Sequence, residues 1–234
     1  MKSNYRSALI VGAGDGLSAS IARTFARDGG MRIALAARNP GKLKSLATEL
    51  DAGTFTCDAS DPAQVAQMFL RADEFFGASP DVVVYNPSFR VRGSIVDIDP
   101  AEVSKALAIT AYGAFLVAQQ AAQRMAPRGS GALLFTGASA SVKGYPLSAA
   151  FAMGKFALRG LAQSIARELQ PKGIHVAHFV IDGGIRGPRH VEQADALDSM
   201  LDPDAIAQNY LNVLQQDRSA WTWEIELRPW VEKF

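Results

Sequence analysis

The sequence has 234 residues, of which 48% are hydrophobic and 20% charged, and its 24 basic and 23 acidic residues give a formal net charge of +1. This balance of charge excludes a field strong enough to hold nucleic acid or an anionic membrane as a partner. The length predicts a single α/β domain over residues 1–234, and the lack of a charged and then apolar leader predicts a cytoplasmic protein.

Seven apolar segments are typical of buried strands. They cover residues 7–11, 32–37, 54–57, 82–85, 132–135, 174–180 and 223–227. Helical patterns lie between them at residues 16–28, 40–50, 62–76, 100–125, 149–170 and 203–216, and several begin with Asp-Pro or Asn-Pro. Strict alternation of strand and helix predicts a Rossmann-type, doubly wound, seven-stranded parallel sheet with helices on both faces.

The turn after the first strand is rich in glycine and leads directly into a helix. Glycine lets the backbone approach a pyrophosphate, and the start of a helix offers unpaired N–H groups and a positive dipole. We therefore predict a dinucleotide site here, with a merely tight turn as the alternative. The predicted cofactor-binding residues of this turn are Gly12, Gly14, Asp15, Gly16 and Leu17.

Arg38 directly follows the second strand, at a position where an NAD-specific site usually has a carboxylate. A planar cation suits a 2′-phosphate, so this position predicts NADP(H) as the preferred cofactor, with NAD(H) possible. The alternative is a solvated arginine at the end of a strand. After the third strand, Asp58 is placed to accept a hydrogen bond from an adenine amino group or to cap the next helix, and Ala59 belongs to the same predicted cofactor site.

The long irregular connection around residues 182–202 is expected to be a substrate loop. Arg186, Arg189 and His190 form a basic cluster in it that would suit a carboxylate or a phosphate, with a solvated loop as the alternative. The single cysteine, Cys57, excludes an intrachain disulfide and is expected to be structural.

Histidine offers no metal site in this sequence. His175 and His178 lie on one predicted strand at an odd separation, so they should face opposite sides of the sheet. We therefore expect no metal. The apolar C-terminal segment, residues 221–230, is predicted to be buried in the core or at a contact between subunits.

Motifs along nearly the whole chain resemble the short-chain dehydrogenase/reductase family. The carriers of this resemblance are the turn with Gly12 and Gly16, Asp58, Asn86 in Tyr85-Asn86-Pro87-Ser88, Gly113-Ala114-Phe115, residues 133–139, Lys155 and residues 156–183. The resemblance implies an oxidoreductase that holds its cofactor also through Asn86, Lys155, Gly183 and the backbone near Ile185. It further implies a homodimer or homotetramer formed through the helices at residues 100–125 and 149–170.

The family's reaction, as the resemblance implies it, uses a tyrosine, a lysine four residues later, a serine and an asparagine. Lys155 is present, but Phe151 occupies the tyrosine position, and phenylalanine has no proton to give. The serine position falls on Ala138 with Ser139 beside it, and Ser139 substitutes only where the chain has left regular strand geometry. Thr110 occupies the asparagine position. The chain resembles a divergent subgroup in which phenylalanine replaces the tyrosine and the lysine is kept.

Other departures from the family pattern lie outside this set of four. Ser18 stands at the third glycine of the first turn, and Asp182 replaces the proline before Gly183. Candidates for the missing proton donor are Tyr145, Tyr112 and Lys155 itself, whose pKa should fall if the ammonium is desolvated.

The expected partner is a small-molecule substrate. Three hypotheses follow for the function of the protein. The first is an NADP(H)-dependent oxidoreductase that acts on a carbonyl or an alcohol with an atypical proton donor. The second is a non-catalytic dinucleotide-binding sensor or partner subunit. The third, a lyase-like or dehalogenase-like derivative, should keep Ser and Tyr and lose the glycine turn, which is the reverse of this sequence.

Overall fold

Seven parallel strands form one sheet in the order β3-β2-β1-β4-β5-β6-β7. The computed structural model describes residues 5–187, 190–192 and 197–232. The strands are β1 (Ser7–Val11), β2 (Arg32–Ala37), β3 (Gly53–Thr56), β4 (Val82–Tyr85), β5 (Gly131–Thr136), β6 (Ile174–Ile181) and β7 (Glu224–Leu227). The predicted fold is confirmed, and β3 lies one residue earlier than expected, so that Cys57 follows the strand.

Helices cover both faces of this sheet. They are α1 (Leu17–Arg27), α2 (Lys44–Leu50), α3 (Pro62–Phe76), α4 (Pro100–Leu107), α5 (Gly113–Met125), α6 (Ala149–Leu169) and α7 (Pro203–Leu214). Pro62, Pro100 and Pro203 each follow an aspartate whose carboxylate accepts backbone N–H bonds, so the Asp-Pro pairs begin helices as predicted.

The hydrophobic core has two parts, one on each face, because side chains along a strand alternate in direction. On β1, Ala8 and Ile10 belong to the part that contains residues of α1 and α7. Leu9 and Val11 belong to the part that contains residues of α3, α5 and α6. The central strands are buried on both sides, which explains their nearly continuous apolar sequences.

The order of the strands reverses at β1, because β2 follows it on one side and β4 on the other. The last residues of β1 and β4, Val11 and Tyr85, are paired in register. In open α/β sheets, ligands bind in the crevice at such a reversal, beyond the carboxyl ends of the strands. The glycine turn and Asn86 both leave the sheet at this point.

The predicted helix at residues 100–125 is interrupted by a π turn, Ala108–Tyr112. The Tyr85 hydroxyl donates a hydrogen bond to the carbonyl of Ile109 within this turn. At Gly113, a Cβ atom would lie 2.6 Å from the Tyr85 hydroxyl and 2.7 Å from the Ala59 carbonyl. Glycine thus allows α5 to approach the end of β4, and the irregular turn accommodates the contact.

Two other expectations need correction. Residues 40–43, predicted as the start of a helix, form a 3₁₀ turn before α2. Asn39, which precedes Pro40, has φ −130° and ψ 85°, outside the helical region that a following proline disfavours. In the C-terminal segment, Trp221 stacks on His175 and Trp223 packs against the core, but Trp230 is 82% exposed. Burial in the core is therefore wrong for Trp230, which lies beyond the sheet.

The helical stretch Pro100–Arg128 is long and apolar enough to cross a membrane by length and composition alone. Helices in the core of water-soluble folds pass the same test, and α5 packs against α3 and contributes seven buried residues. The stretch is therefore weak evidence for a membrane span.

Phe69 and Leu70 are neighbours on α3 and offer a matched test of which face is packed. Phe69 is fully buried, whereas Leu70 is 52% exposed. We expect Phe69→Ala to lower the free energy of unfolding by about 3–5 kcal/mol, because it opens a cavity in the core. Leu70→Ala should change it by no more than about 0.5 kcal/mol in urea denaturation. Equal losses for the two variants would contradict this packing.

Candidate active site

A cleft of about 690 Å³ lies at the carboxyl ends of β1, β2, β3 and β4. It brings together seven of the predicted cofactor residues, namely Gly12, Gly14, Asp15, Arg38, Asp58, Ala59 and Asn86. Gly16 and Leu17 begin α1 beside it. Of the other predicted residues, Lys155 lies on α6, and Gly183 and Ile185 follow β6, in the opposite half of the sheet.

Gly12 and Gly14 are suited to the glycine turn for different reasons. Gly12 has φ +79°, and a Cβ atom there would lie 2.7 Å from the backbone nitrogen of Pro87. At Gly14 a Cβ atom would meet no neighbour, so glycine there leaves the cleft open. No side chain caps α1 at Gly16, which leaves the first N–H groups of the helix available. A pyrophosphate fits these features.

Ser18, at the family's third glycine, forms part of a hydrogen-bonded link across the turn. Its hydroxyl donates to the Gly12 carbonyl at 3.1 Å and accepts from the Asn86 side-chain amide at 2.7 Å. The Asn86 backbone N–H donates to the Val11 carbonyl at 3.0 Å. The turn and the end of β4 therefore hold each other in position.

The end of the cleft beside β2 is basic. Arg38 and Lys42 both line it, and Lys42 comes from the 3₁₀ turn, which the sequence pattern assigned to a helix. Hydrogen bonds from Ser60 hold the pKa of Asp58 below its usual value, and nearby Arg38 lowers it further. Asp61, not Asp58, caps α3, so the capping alternative for Asp58 is wrong.

Lys155, the predicted catalytic lysine, lies on α6 and is not among the residues that line the cleft. Its side chain is only 3% exposed, and its ammonium donates to the Thr136 carbonyl at 2.7 Å. Burial lowers the pKa of Lys155 to about 8. The ammonium nitrogen is 5.9 Å from the centre of the Phe151 ring, one turn earlier on α6.

Thr110 is buried within the π turn, and its hydroxyl accepts a hydrogen bond from the Phe89 N–H at 3.4 Å. On the strand side, β5 ends at Thr136 and a 3₁₀ turn begins at Ser139. The chain has thus left strand geometry before Ser139, which meets the condition for that serine to replace Ala138. Tyr145 and Tyr112 are each about half exposed, and Tyr112 stacks on Phe115 at the surface.

In the predicted substrate loop, Gly183 has φ +151° and Ile185 forms a bridge with Leu201. Arg186 forms ion pairs with Asp202 and Glu192, so carboxylates within the protein already neutralise it. Arg189 lies outside the described residues. The predicted basic cluster therefore lacks the free charge of Arg186, because that charge is already paired within the protein.

Asp182, at the proline position, is buried. Its carboxylate pairs with Lys143 at 3.2 Å and with Arg228 at 3.7 Å. It therefore joins the loop before α6 to the segment after β7, a role that a proline would not have.

A buried polar chain behind the site was not anticipated. The His178 Nδ1 lies 3.0 Å from the Glu224 carboxylate, which also accepts two hydrogen bonds from Arg159. The His178 Nε2 lies 3.4 Å from the hydroxyl of Ser141, and that hydroxyl accepts from the Ala138 N–H at 3.1 Å. The chain thus supports the turn that carries Ser139.

The charges of this chain are set by burial and by Arg159. Burial lowers the pKa of His178 to about 4, although Glu224 opposes the shift, so the ring is neutral at physiological pH. Burial alone would raise the pKa of Glu224, but the hydrogen bonds and charge of Arg159 give a net lowering. A histidine in a strand that is buried along its whole length needs a hydrogen-bond partner for its ring. The position of His178 in the apolar segment 174–180 is therefore the sequence feature that indicates a buried polar partner.

The fold and the cleft define a protein of the dinucleotide-binding α/β class. Residues 12–219 match the sequence profile of the family described as enoyl-(acyl carrier protein) reductase. A short-chain dehydrogenase/reductase of Armillaria gallica is 32% identical over 196 residues, covering 80% of this chain and 74% of that protein. The chain belongs to the short-chain dehydrogenase/reductase family.

Solved structures give the same result. A short-chain dehydrogenase from Rhodopseudomonas palustris has a TM-score of 0.82 and 33% identity, covering 96% of this chain and 99% of that one. A metagenomic short-chain oxidoreductase in complex with NADP has a TM-score of 0.81 and 25% identity, covering 96% and 97% of the two chains.

Cys57 lines the cleft but is buried, and burial raises the pKa of its thiol to about 11. Only the thiolate reacts with disulfide reagents, so about one molecule in a thousand is reactive at pH 8. We expect Ellman's reagent to modify the native protein at least about 100-fold more slowly than the urea-unfolded protein, with a rate that rises as pH approaches 11. Rapid modification of the native protein at pH 8 would contradict this environment.

Proposed function

We propose that this protein is an NADP(H)-dependent oxidoreductase that interconverts a carbonyl and an alcohol in a small-molecule substrate. The observation that carries the cofactor preference is the pair Arg38 and Lys42 at the end of the cleft, where β2 ends without a carboxylate. Two cations suit a 2′-phosphate, whereas NAD-specific sites place an acid there. The complex of the related metagenomic enzyme with NADP supports the same choice.

The residues of the cleft are suited to distinct parts of the cofactor. The turn from Gly12 to Leu17 would hold the pyrophosphate, with Asp58 and Ala59 at the adenine and Asn86 near the nicotinamide ribose. Lys155, Gly183 and the backbone at Ile185 would complete the nicotinamide end. When bound, the nicotinamide supplies or accepts the hydride.

We infer from Phe151 that the chain belongs to the divergent subgroup in which the lysine remains without the tyrosine. We infer that Lys155 supplies the proton during reduction, through a water molecule in the space that a phenol would fill. Its buried ammonium, with a pKa of about 8, holds a proton at neutral pH and releases it more readily than an exposed lysine does. Ser139 would orient the substrate oxygen, and Thr110 would hold the loop after β4 by its bond to Phe89.

Tyr145 is the second candidate donor, because it lies in the connection between Ser139 and Phe151 and its ring is partly exposed. Tyr112, the third candidate, is instead stacked on Phe115. A non-catalytic sensor or partner subunit is the second candidate function, and the observation that favours it is again Phe151. Oxidation of NADPH that depends on a carbonyl compound would support the enzyme, whereas NADPH binding without turnover would favour the sensor or partner subunit.

We infer that residues 1–234 form one domain, that residues 182–202 form its substrate loop and that the protein is located in the cytoplasm.

We also propose that the protein forms a homodimer or homotetramer. Exposed apolar side chains on and beside α5 and α6 support it, because they resemble the face of a subunit contact. These side chains are Tyr112, Phe115, Met153 and Phe156.

The cofactor preference can be tested with the double substitution Arg38→Ala and Lys42→Ala. We expect NADPH affinity to fall by about 10- to 100-fold, because charge-assisted bonds to the 2′-phosphate are lost, while NADH affinity changes little. Nicotinamide fluorescence measures both. The control is Lys44→Ala. Lys44 lines a neighbouring groove and not the cleft, so this substitution removes a cation outside the proposed cofactor site.

An equal loss for NADPH and NADH would contradict a 2′-phosphate site. No binding of either nucleotide to the unmodified protein would overturn the cofactor assignment as a whole.

The role of Lys155 predicts a pH profile for carbonyl reduction at saturating NADPH. The protonated ammonium is the reactive form, so kcat should be constant below pH 8 and fall about tenfold per pH unit above it. Lys155→Met should lower kcat by about 10²- to 10⁴-fold and remove this dependence. A profile that stays flat to pH 10, or an unchanged profile in the variant, would exclude Lys155 as the donor.

A further inference from the structure

Arg90 lies against Phe151, the residue in the family's tyrosine position. The guanidinium carbon is 5.2 Å from the centre of the Phe151 ring, and the Lys155 ammonium is 5.9 Å from the same centre. Two cations thus contact the ring where the family has a phenol. Cation–π pairs are common in proteins. This pair is informative because the ring belongs to Phe151, the residue in the family's tyrosine position.

The segment that carries Arg90 is attached to the site on both sides. We call residues 86–99 the β4–α4 loop. Before Arg90, the Phe89 N–H donates to Thr110 at 3.4 Å, and the Lys105 ammonium lies 4.5 Å from the centre of the Phe89 ring. After Arg90, the Gly93 N–H donates to the Leu147 carbonyl at 3.1 Å. Thr110 and Phe151, two departures from the family pattern, are therefore both in contact with this loop segment.

The charge of Arg90 is not neutralised by the residues that the structure describes. Lys143, Arg159 and Arg228 form ion pairs with carboxylates elsewhere among the described residues. Lys155, the other cation at the Phe151 ring, donates to the Thr136 carbonyl. For Arg90, the described contact is the Phe151 ring, which stabilises a cation without cancelling its charge. Its side chain is exposed, so an anion can reach it.

We propose that Arg90 binds a carboxylate of the substrate, which makes the preferred substrates keto acids or their hydroxy-acid products. A guanidinium holds a carboxylate through two parallel hydrogen bonds and stays charged at every working pH. It cannot serve as the proton donor, so its role is to hold the substrate beside Phe151 while Lys155 provides the proton. This inference rests on the proposed oxidoreductase function.

The test uses a matched pair of probes, benzoylformate and its neutral methyl ester. Protein saturated with NADP⁺ cannot reduce either probe, so calorimetry measures binding alone. We expect benzoylformate to bind, Arg90→Gln to weaken it by about 10- to 100-fold, and Arg90→Lys to weaken it less, because lysine keeps the charge without the planar fork. Arg92→Gln, an exposed arginine on the same loop, is the control and should leave binding unchanged.

Turnover with NADPH provides the second readout. We expect a higher kcat/KM for benzoylformate than for the ester, and Arg90→Gln should raise KM for the acid while leaving the ester unaffected. Equal binding of acid and ester, or an equal effect of Arg90→Gln and Arg92→Gln, would overturn the carboxylate site. In that case NADPH binding and ester reduction would still support the proposed function, whereas failure to bind NADPH would refute that function instead.

Discussion

The reversal of strand order between β1 and β4 is the constraint on which the site depends. Pairing of Val11 with Tyr85 brings the glycine turn and Asn86 out of the sheet side by side. The same Tyr85 bonds to the carbonyl of Ile109, which fixes the π turn that carries Thr110. One pair of strand ends therefore positions both the proposed pyrophosphate site and one wall of the proposed reaction centre.

The two ends of the site belong to different parts of the fold. The cofactor cleft is formed by the ends of β1 to β4, whereas Lys155 and Phe151 lie on α6, next to the end of β5. The residues of the glycine turn and Phe151 therefore do not share an element of the fold. The tight packing of Gly12 against Pro87 does not involve α6 at all.

The sequence predicted the sheet because each strand is an apolar segment followed by a helix with its own start signal. It could not predict the π turn, which arises from contacts of Tyr85 and Gly113 with residues distant in the chain. Lys42 was missed because a 3₁₀ turn, rather than a helix, directs it to the cleft. The Ser141–His178–Glu224 chain joins residues 37 and 46 positions apart, and no local pattern reveals such pairs.

The hydrogen bonds among Gly12, Ser18 and Asn86 also have a kinetic consequence. They join the turn that would hold the pyrophosphate to the first residue of the β4–α4 loop, four positions before Arg90. A dinucleotide bound at the turn would restrain the start of this loop through bonds that are already formed, and would reduce the entropy that the loop loses when a second ligand arrives. Such coupling favours an ordered sequence of addition, in which the nucleotide enters first and leaves last.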